Sequence, residues 1–241
     1  MATTRRTGTG HERGTPVEAH RGRALDGYES GPDAPLRAME RALAKAGDAV
    51  TMVLVEGPSD QIALETAAAG LGRDFEAERV VIVPIGGAHA IGRFLTELGP
   101  PDTRARLAGL CDLHEEEIFR RAMVANRVGS PRTRADMEDL GFYVCVNDLE
   151  DELIRAVGSA EIEALFGSHG DLRAFRSLRS QPEWRGREPE AQIRRFLGSG
   201  SRRKLRYARL LVEAALYRDR LPRPLDALLA AVRDIGKRDD R

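Results

Sequence analysis

Glu56 ends an apolar run, Val53-Leu54-Val55, and opens the string Glu56-Gly57-Pro58-Ser59-Asp60-Gln61-Ile62-Ala63-Leu64. A carboxylate where a buried strand surfaces, beside a glycine and ahead of a proline that can start a helix, has the geometry of a site. Glutamate has no propensity reason to sit there. Comparable strand ends recur downstream: Asp112 closes Leu107-Ala108-Gly109-Leu110-Cys111, and Asp148 with Glu150 follow Phe142-Tyr143-Val144-Cys145-Val146-Asn147. If all three ends meet at one sheet edge, their acids form a cup for a hard divalent cation, which prefers carboxylate and water oxygens.

The elements that must bring these acids together alternate along the chain. Val50 to Val55 reads as a strand, Pro58 to about Leu71 as a helix, and Val80 to Pro84 as a second strand. Gly86-Gly87 leads into a helix from about Ala88 to Leu98, stopped by Gly99-Pro100-Pro101. Arg106 to Cys111 is a third strand followed by a helix from about Glu115 to Val124, and Phe142 to Val146 a fourth strand followed by a helix from Leu149 to Val157. Apolar strands alternating with helices predict a parallel sheet covered on both faces, whose ligands bind at the carboxyl ends of the strands. That rim would carry Glu56, Gly86, Asp112 and Asp148.

The fold class expected is therefore α/β, a parallel sheet of about four strands with helices on both faces, plus a C-terminal helical extension. Residues 1–34 mix Thr, Arg, Gly, Glu and Pro without periodicity and read as a disordered N-terminal tail. A lead-in helix over Pro35 to Ala44 opens the sheet domain, taken as 35–159. From 160 to 241 the strand signals stop, and 162–166, 191–197, 205–217 and 225–235 show helical spacing. The stripe Leu205, Leu210, Leu211, Ala214 and Leu216 reads as core.

The 241 residues carry 38 basic and 38 acidic side chains, so net charge alone points to neither nucleic acid nor membrane. Distribution says more: acids dominate from Asp112 to Glu163, while arginines crowd from Arg173 to Arg209. An acidic centre beside a basic flank could hold a metal and then a phosphate backbone. Cys111 and Cys145 lack finger or redox spacing and read as small core residues in a reducing compartment. No apolar run approaches the roughly 20 residues needed to span a bilayer, and no secretory signal opens the chain, so a cytoplasmic protein without membrane contact is expected.

Laid out in order, Val55-Glu56-Gly57-Pro58-Ser59-Asp60, Gly86-Gly87, Leu110-Cys111-Asp112 and Asp148-Leu149-Glu150 resemble the TOPRIM domain of topoisomerases, primases and related nucleases. Within that group the chain looks most like the overcoming-lysogenization-defect (OLD) nucleases, because Asp60 lies four residues after Glu56 and the Asp-Leu-Glu opens a helix. Gly198-Ser199-Gly200-Ser201-Arg202-Arg203-Lys204 resembles the basic element that follows the TOPRIM core in these nucleases.

The resemblance implies Mg²⁺- or Mn²⁺-dependent cleavage of DNA. It implies Glu56 as general acid/base or metal ligand, Asp60, Asp112 and Glu150 as metal ligands, and Lys204 as the cation that neutralises transition-state charge. Asp148 and Glu115 are candidates for a second metal, and Arg202, Arg203, Lys204 and Arg206 for nucleic-acid binding. Asp60 and Asp148 could each also cap a helix. One departure stands out: His114 occupies the position of the second aspartate of an Asp-x-Asp pair, and Glu115 or Glu116 could substitute from the next turn.

No phosphate-cradling Gly-x-x-x-x-Gly-Lys-Ser/Thr string occurs in the sequence, so a stand-alone TOPRIM form is expected, with any ATPase on a separate subunit and a homodimer as an open assembly. Two rivals to a nuclease are a catalytically lapsed TOPRIM module that binds nucleic acid or acts as a scaffold, and an RNA-processing or nucleotidyl-transfer enzyme.

Overall fold

The structure is a computed structural model that describes residues 33–98 and 105–238, with side chains to residue 233. A lead-in helix α1 (Ala34–Lys45) precedes β1 (Thr51–Val55), α2 (Pro58–Gly70), β2 (Val80–Pro84), α3 (Ile91–Leu98), β3 (Arg106–Cys111) and α4 (Glu116–Ala125). A short α5 (Arg134–Asp139), β4 (Phe142–Val144) and α6 (Leu149–Val157) complete the alternating part. Five further helices follow: α7 (Ser159–Ser168), α8 (Leu172–Ser180), α9 (Pro189–Leu197), α10 (Ser201–Tyr217) and α11 (Arg223–Arg238).

The strands form one four-stranded sheet in the order β2-β1-β3-β4, and every neighbouring pair is parallel. Thr51 of β1 pairs with Val80 on one side and Arg106 on the other, so the strands leave the sheet nearly level. That register puts the residues after Val55, Pro84 and Cys111 at one rim.

Strand alternation divides the core. Val53, Val55, Ala108, Leu110, Tyr143 and Cys145 face a cluster built with α2, α6 and the C-terminal helices. Met52, Leu54, Val83, Cys111, Phe142 and Val144 face a second cluster with α3, α4 and α5. Both faces are covered, which is why the strands read as continuous apolar runs. Cys111 and Cys145 lie on opposite faces, buried and free, and burial pushes both thiols far above their ordinary range. Gly109 is a close-approach glycine, since a Cβ there would meet the Phe142 ring at 2.7 Å.

The C-terminal helices continue the first core cluster. Phe166 packs edge-on to Phe196 and Tyr207 at 5.0 and 5.1 Å between centroids, and Leu211 and Val212 of α10 are fully buried. Burial of each such side chain is worth roughly 1.5–3 kcal/mol. Of the expected α10 stripe, Leu210 and Leu211 are core, Ala214 and Leu216 pack against it partly buried, and Leu205 lines the cleft.

Several expected boundaries differ. Residues 1–32 of the predicted tail lie outside the described residues, whereas Ala34, also assigned to that tail, is buried in the first turn of α1. The fourth strand ends at Val144, two residues early, although the Cys145 N–H still donates to the Cys111 carbonyl at 2.9 Å. Helices α5 and α8 were not anticipated. Thr133 caps α5 through a box closed by Asp136, a signal present in the sequence, while the three arginines of α8 mask its apolar stripe.

Candidate metal centre

Backbone geometry sets Glu56. Gly86 and Gly87, with φ of 78° and 109°, both turn their N–H groups onto the Glu56 carbonyl, at 3.0 and 3.1 Å. A side chain at either position would strain those angles, so the glycines serve the close return of the β2 exit toward β1. Pro58 starts α2 immediately afterwards, and the Asp60 carboxylate accepts from the Gly57 N–H at 2.9 Å.

Asp112 leaves β3 into a single 3₁₀ turn, Leu113–Glu115. The Glu115 N–H donates to the Asp112 carbonyl at 3.0 Å, and this closed turn brings Glu115 back beside Asp112. The Leu113 N–H donates to the Asn147 carbonyl at 2.9 Å, tying the β3 exit to the β4 exit. His114, between the two acids, is exposed.

Ligand oxygens of Glu56, Asp112 and Glu115 lie within 4.8 Å of one another, all three residues half-buried. Burial is the main cause that raises Asp112 to about 8, helped by the charges of Asp60, Glu56, Asp148 and Glu115. Burial likewise lifts Glu115 to about 7, followed by the charge of Glu56 and opposed by a hydrogen bond from backbone. Glu115 Oε2 is buried with no hydrogen-bond partner. An orphaned carboxylate oxygen among mutually repelling acids fits a hard divalent cation, which supplies both the missing partner and the counter-charge.

The remaining predicted acids line the same cleft, a cavity of about 450 Å³ between the sheet rim, α2, α6 and α10. They are not part of the tight trio. Burial raises Asp60 to about 6 against the pull of the Gly57 N–H and of Lys204. Asp148 caps α6, accepting from the Asp151 N–H at 2.7 Å, and its other oxygen takes the Arg194 guanidinium. Burial also raises Glu150, with Lys204 opposing. Both helix-capping readings are thus realised, while both acids still border the cleft.

Lys204 lines the cleft, and its charge reaches Asp60 and Glu150. The arginines around it are engaged within the fold. Arg203 stacks 4.0 Å over the Phe196 ring and donates to the Phe196 carbonyl, and Arg206 pairs with Asp171. Arg202 is exposed on the same turn and has interactions of its own.

The brace behind Glu115 leaves only half its signal in the sequence. Glu116 receives Arg120 at 2.9 Å on one oxygen and Arg134 of α5 at 2.7 Å on the other. The Arg120 pair is an ordinary i,i+4 signal, but Arg134 comes from an element whose position no local pattern reveals. Arg194 on Asp148 is a second such contact.

Residues 49–101 match the family model for the TOPRIM domain of overcoming-lysogenization-defect-like proteins. The C-terminal region of the Xanthomonas campestris pv. campestris OLD protein, phased with mercury, aligns at 18% identity and a TM-score of 0.59, covering 80% of this chain and 98% of that one. The C-terminal region of the Burkholderia pseudomallei OLD protein aligns at 16% identity and a TM-score of 0.56, covering 78% and 98%. At these identities the likeness is one of fold. No curated protein matches the chain, and among the described residues no helix is long and apolar enough to cross a membrane.

Proposed function

With an OLD-like TOPRIM domain in this chain as the premise, we propose that the protein is a metal-dependent nuclease that hydrolyses phosphodiester bonds of DNA. The observation that carries this reading is the convergence of Glu56, Asp112 and Glu115 from two strand exits. These three would hold Mg²⁺ or Mn²⁺, with Asp60, Asp148 and Glu150 as further acids for a second ion. Bound there, a divalent ion would lower the pKa of water and neutralise charge developing on the phosphoryl oxygens.

The chain's own groups have distinct tasks in this proposal. Glu56, fixed through its carbonyl by Gly86 and Gly87, accepts the proton of the attacking water. Lys204, across the cleft, meets the phosphate with its positive charge. The apolar walls, Leu149, Leu153, Leu197 and Leu211, limit water around the reacting group. A separate ATPase subunit is a candidate partner for this site, and a cytoplasmic setting suits the free buried thiols.

A TOPRIM module kept only for binding rests on His114 in place of a second aspartate. The placement of Glu115 beside Glu56 and Asp112 favours the hydrolase instead. A plasmid-nicking assay tests it: supercoiled DNA should be nicked with Mg²⁺ or Mn²⁺, not with EDTA, and not by Glu56→Ala of unchanged Tm. Inert protein on supercoiled, linear and single-stranded DNA across both metals overturns the reading, and preferential cleavage of structured RNA redirects it.

A further inference from the structure

Resting on the nuclease reading, we propose that the arginine stripe of α8, Arg173 and Arg176 continued by Arg185, is the surface on which the backbone of duplex DNA lies beside the cleft. Helix α8 reads Leu-Arg-Ala-Phe-Arg-Ser-Leu-Arg-Ser; it buries Phe175 and leaves Arg173, Arg176, Ser177 and Ser180 exposed along one side. Arg185, in the following loop, donates to the Ser180 carbonyl at 3.0 Å, which extends the stripe past the end of the helix. Arg179 is turned away to Glu163.

Several exposed helical arginines sit one turn from an acid, as Arg93 with Glu97, Arg121 with Glu117 and Arg155 with Asp151. Helix α8 has no acid among its nine residues, and Arg173, Arg176 and Arg179 repeat at a spacing where like charges repel. Arg173 also stands in the first turn, where the helix dipole disfavours a cation. Among the described residues neither Arg173 nor Arg176 has a hydrogen bond or ion pair. Such a helix carries a cost that a run of regularly spaced anions would remove.

Position selects the polyanion. Asp171, just before α8, accepts from the Tyr207 hydroxyl at 2.9 Å and takes Arg206, both on α10 within a turn of Lys204. The start of α8 is therefore tied to α10 within a turn of Lys204, and a duplex delivering a phosphodiester to the acids would continue from there along the stripe. An anionic lipid surface or an acidic protein has no such reason to lie against this wall.

Fluorescence anisotropy with a short labelled duplex in EDTA tests the surface independently of cleavage. Each lost phosphate contact should lower the slope of log K against log salt by about 0.9, so R173A/R176A should lose about 2 and bind roughly tenfold or more weakly at moderate salt. R93A/R121A, at acid-paired positions, should match wild type, and R173K/R176K should restore binding if the alanine variant melts early. An unchanged slope in R173A/R176A overturns the surface even if nicking is intact. So does retention on anionic vesicles or polyglutamate with no duplex binding. Normal, stripe-dependent duplex binding by a protein that never nicks overturns the nuclease reading and leaves the surface standing.

Discussion

The carboxylate of Glu115 meets that of Glu56 across the gap between the exits of β3 and β1, and one of its oxygens is buried without a partner. Burial, and after it the charge of Glu56, lifts Glu115 to about 7. A cation held between the two carboxylates would offset both causes.

Metal should therefore stabilise the fold, by about 2.7 kcal/mol at about 100 times Kd. Differential scanning fluorimetry with Mn²⁺ or Mg²⁺ should show a rising Tm for wild type. Glu115→Gln should lose that shift while its metal-free Tm holds or rises, since a repelling charge has gone. A wild-type metal response in the variant would remove Glu115 from the ligand set.

The pH dependence of the metal-free protein has a definite sign. Asp60, Glu115 and Asp112 bind protons in the native state up to about 6, 7 and 8, whereas their ordinary values are 3.8, 4.5 and 3.8. Between those limits the native state holds more protons than the unfolded chain, so stability falls as pH rises through the window. Denaturation midpoints in EDTA should decline from about pH 4 to 8 and flatten above. Saturating Mg²⁺ should oppose the decline, because the ion needs the ionised acids. A midpoint that climbs over the same range in EDTA would mean the acids are not packed together.

Lys204 faces the acids from α10 and is outside the trio that would hold the ion. Lys204→Ala should slow nicking about 100-fold or more, as removal of one preorganised donor typically does. The Mn²⁺-induced Tm shift should survive. Loss of both together would make Lys204 a structural residue of the rim.

Much of this site was legible because its acids follow apolar runs, and a run's end in a parallel sheet is a rim position. Glu56 and Asp112 were found that way, and the level register of β1 with β2 and β3 brings their strand ends together. Glu115 was available only as a substitute for the acid missing at His114; the short 3₁₀ turn that carries it back to Asp112 is closed by one backbone hydrogen bond that no local pattern reveals. Arg203 and Arg206 show the opposite limit. Composition counted them with the other arginines, but Phe196 and Asp171, distant in sequence or on another helix, determine where their charges go. Arg173 and Arg176 of α8 looked the same on paper and, among the described residues, differ by having no such partner.

Arg134 supplies the last test, through Glu116. Its guanidinium reaches across from α5 to the first residue of α4, one position beyond Glu115, and leaves Glu116 between two cations. Half-exposed ion pairs contribute little to global stability, so Arg134→Ala should shift metal-free Tm only slightly. Orientation of a ligand is different: loss of an outer partner commonly weakens metal binding 10- to 100-fold. Calorimetric titration with Mn²⁺ should show a loss of about that size, with Arg134→Lys recovering part of it. An unchanged Mn²⁺ affinity in Arg134→Ala would mean that the 3₁₀ turn alone holds Glu115 in place.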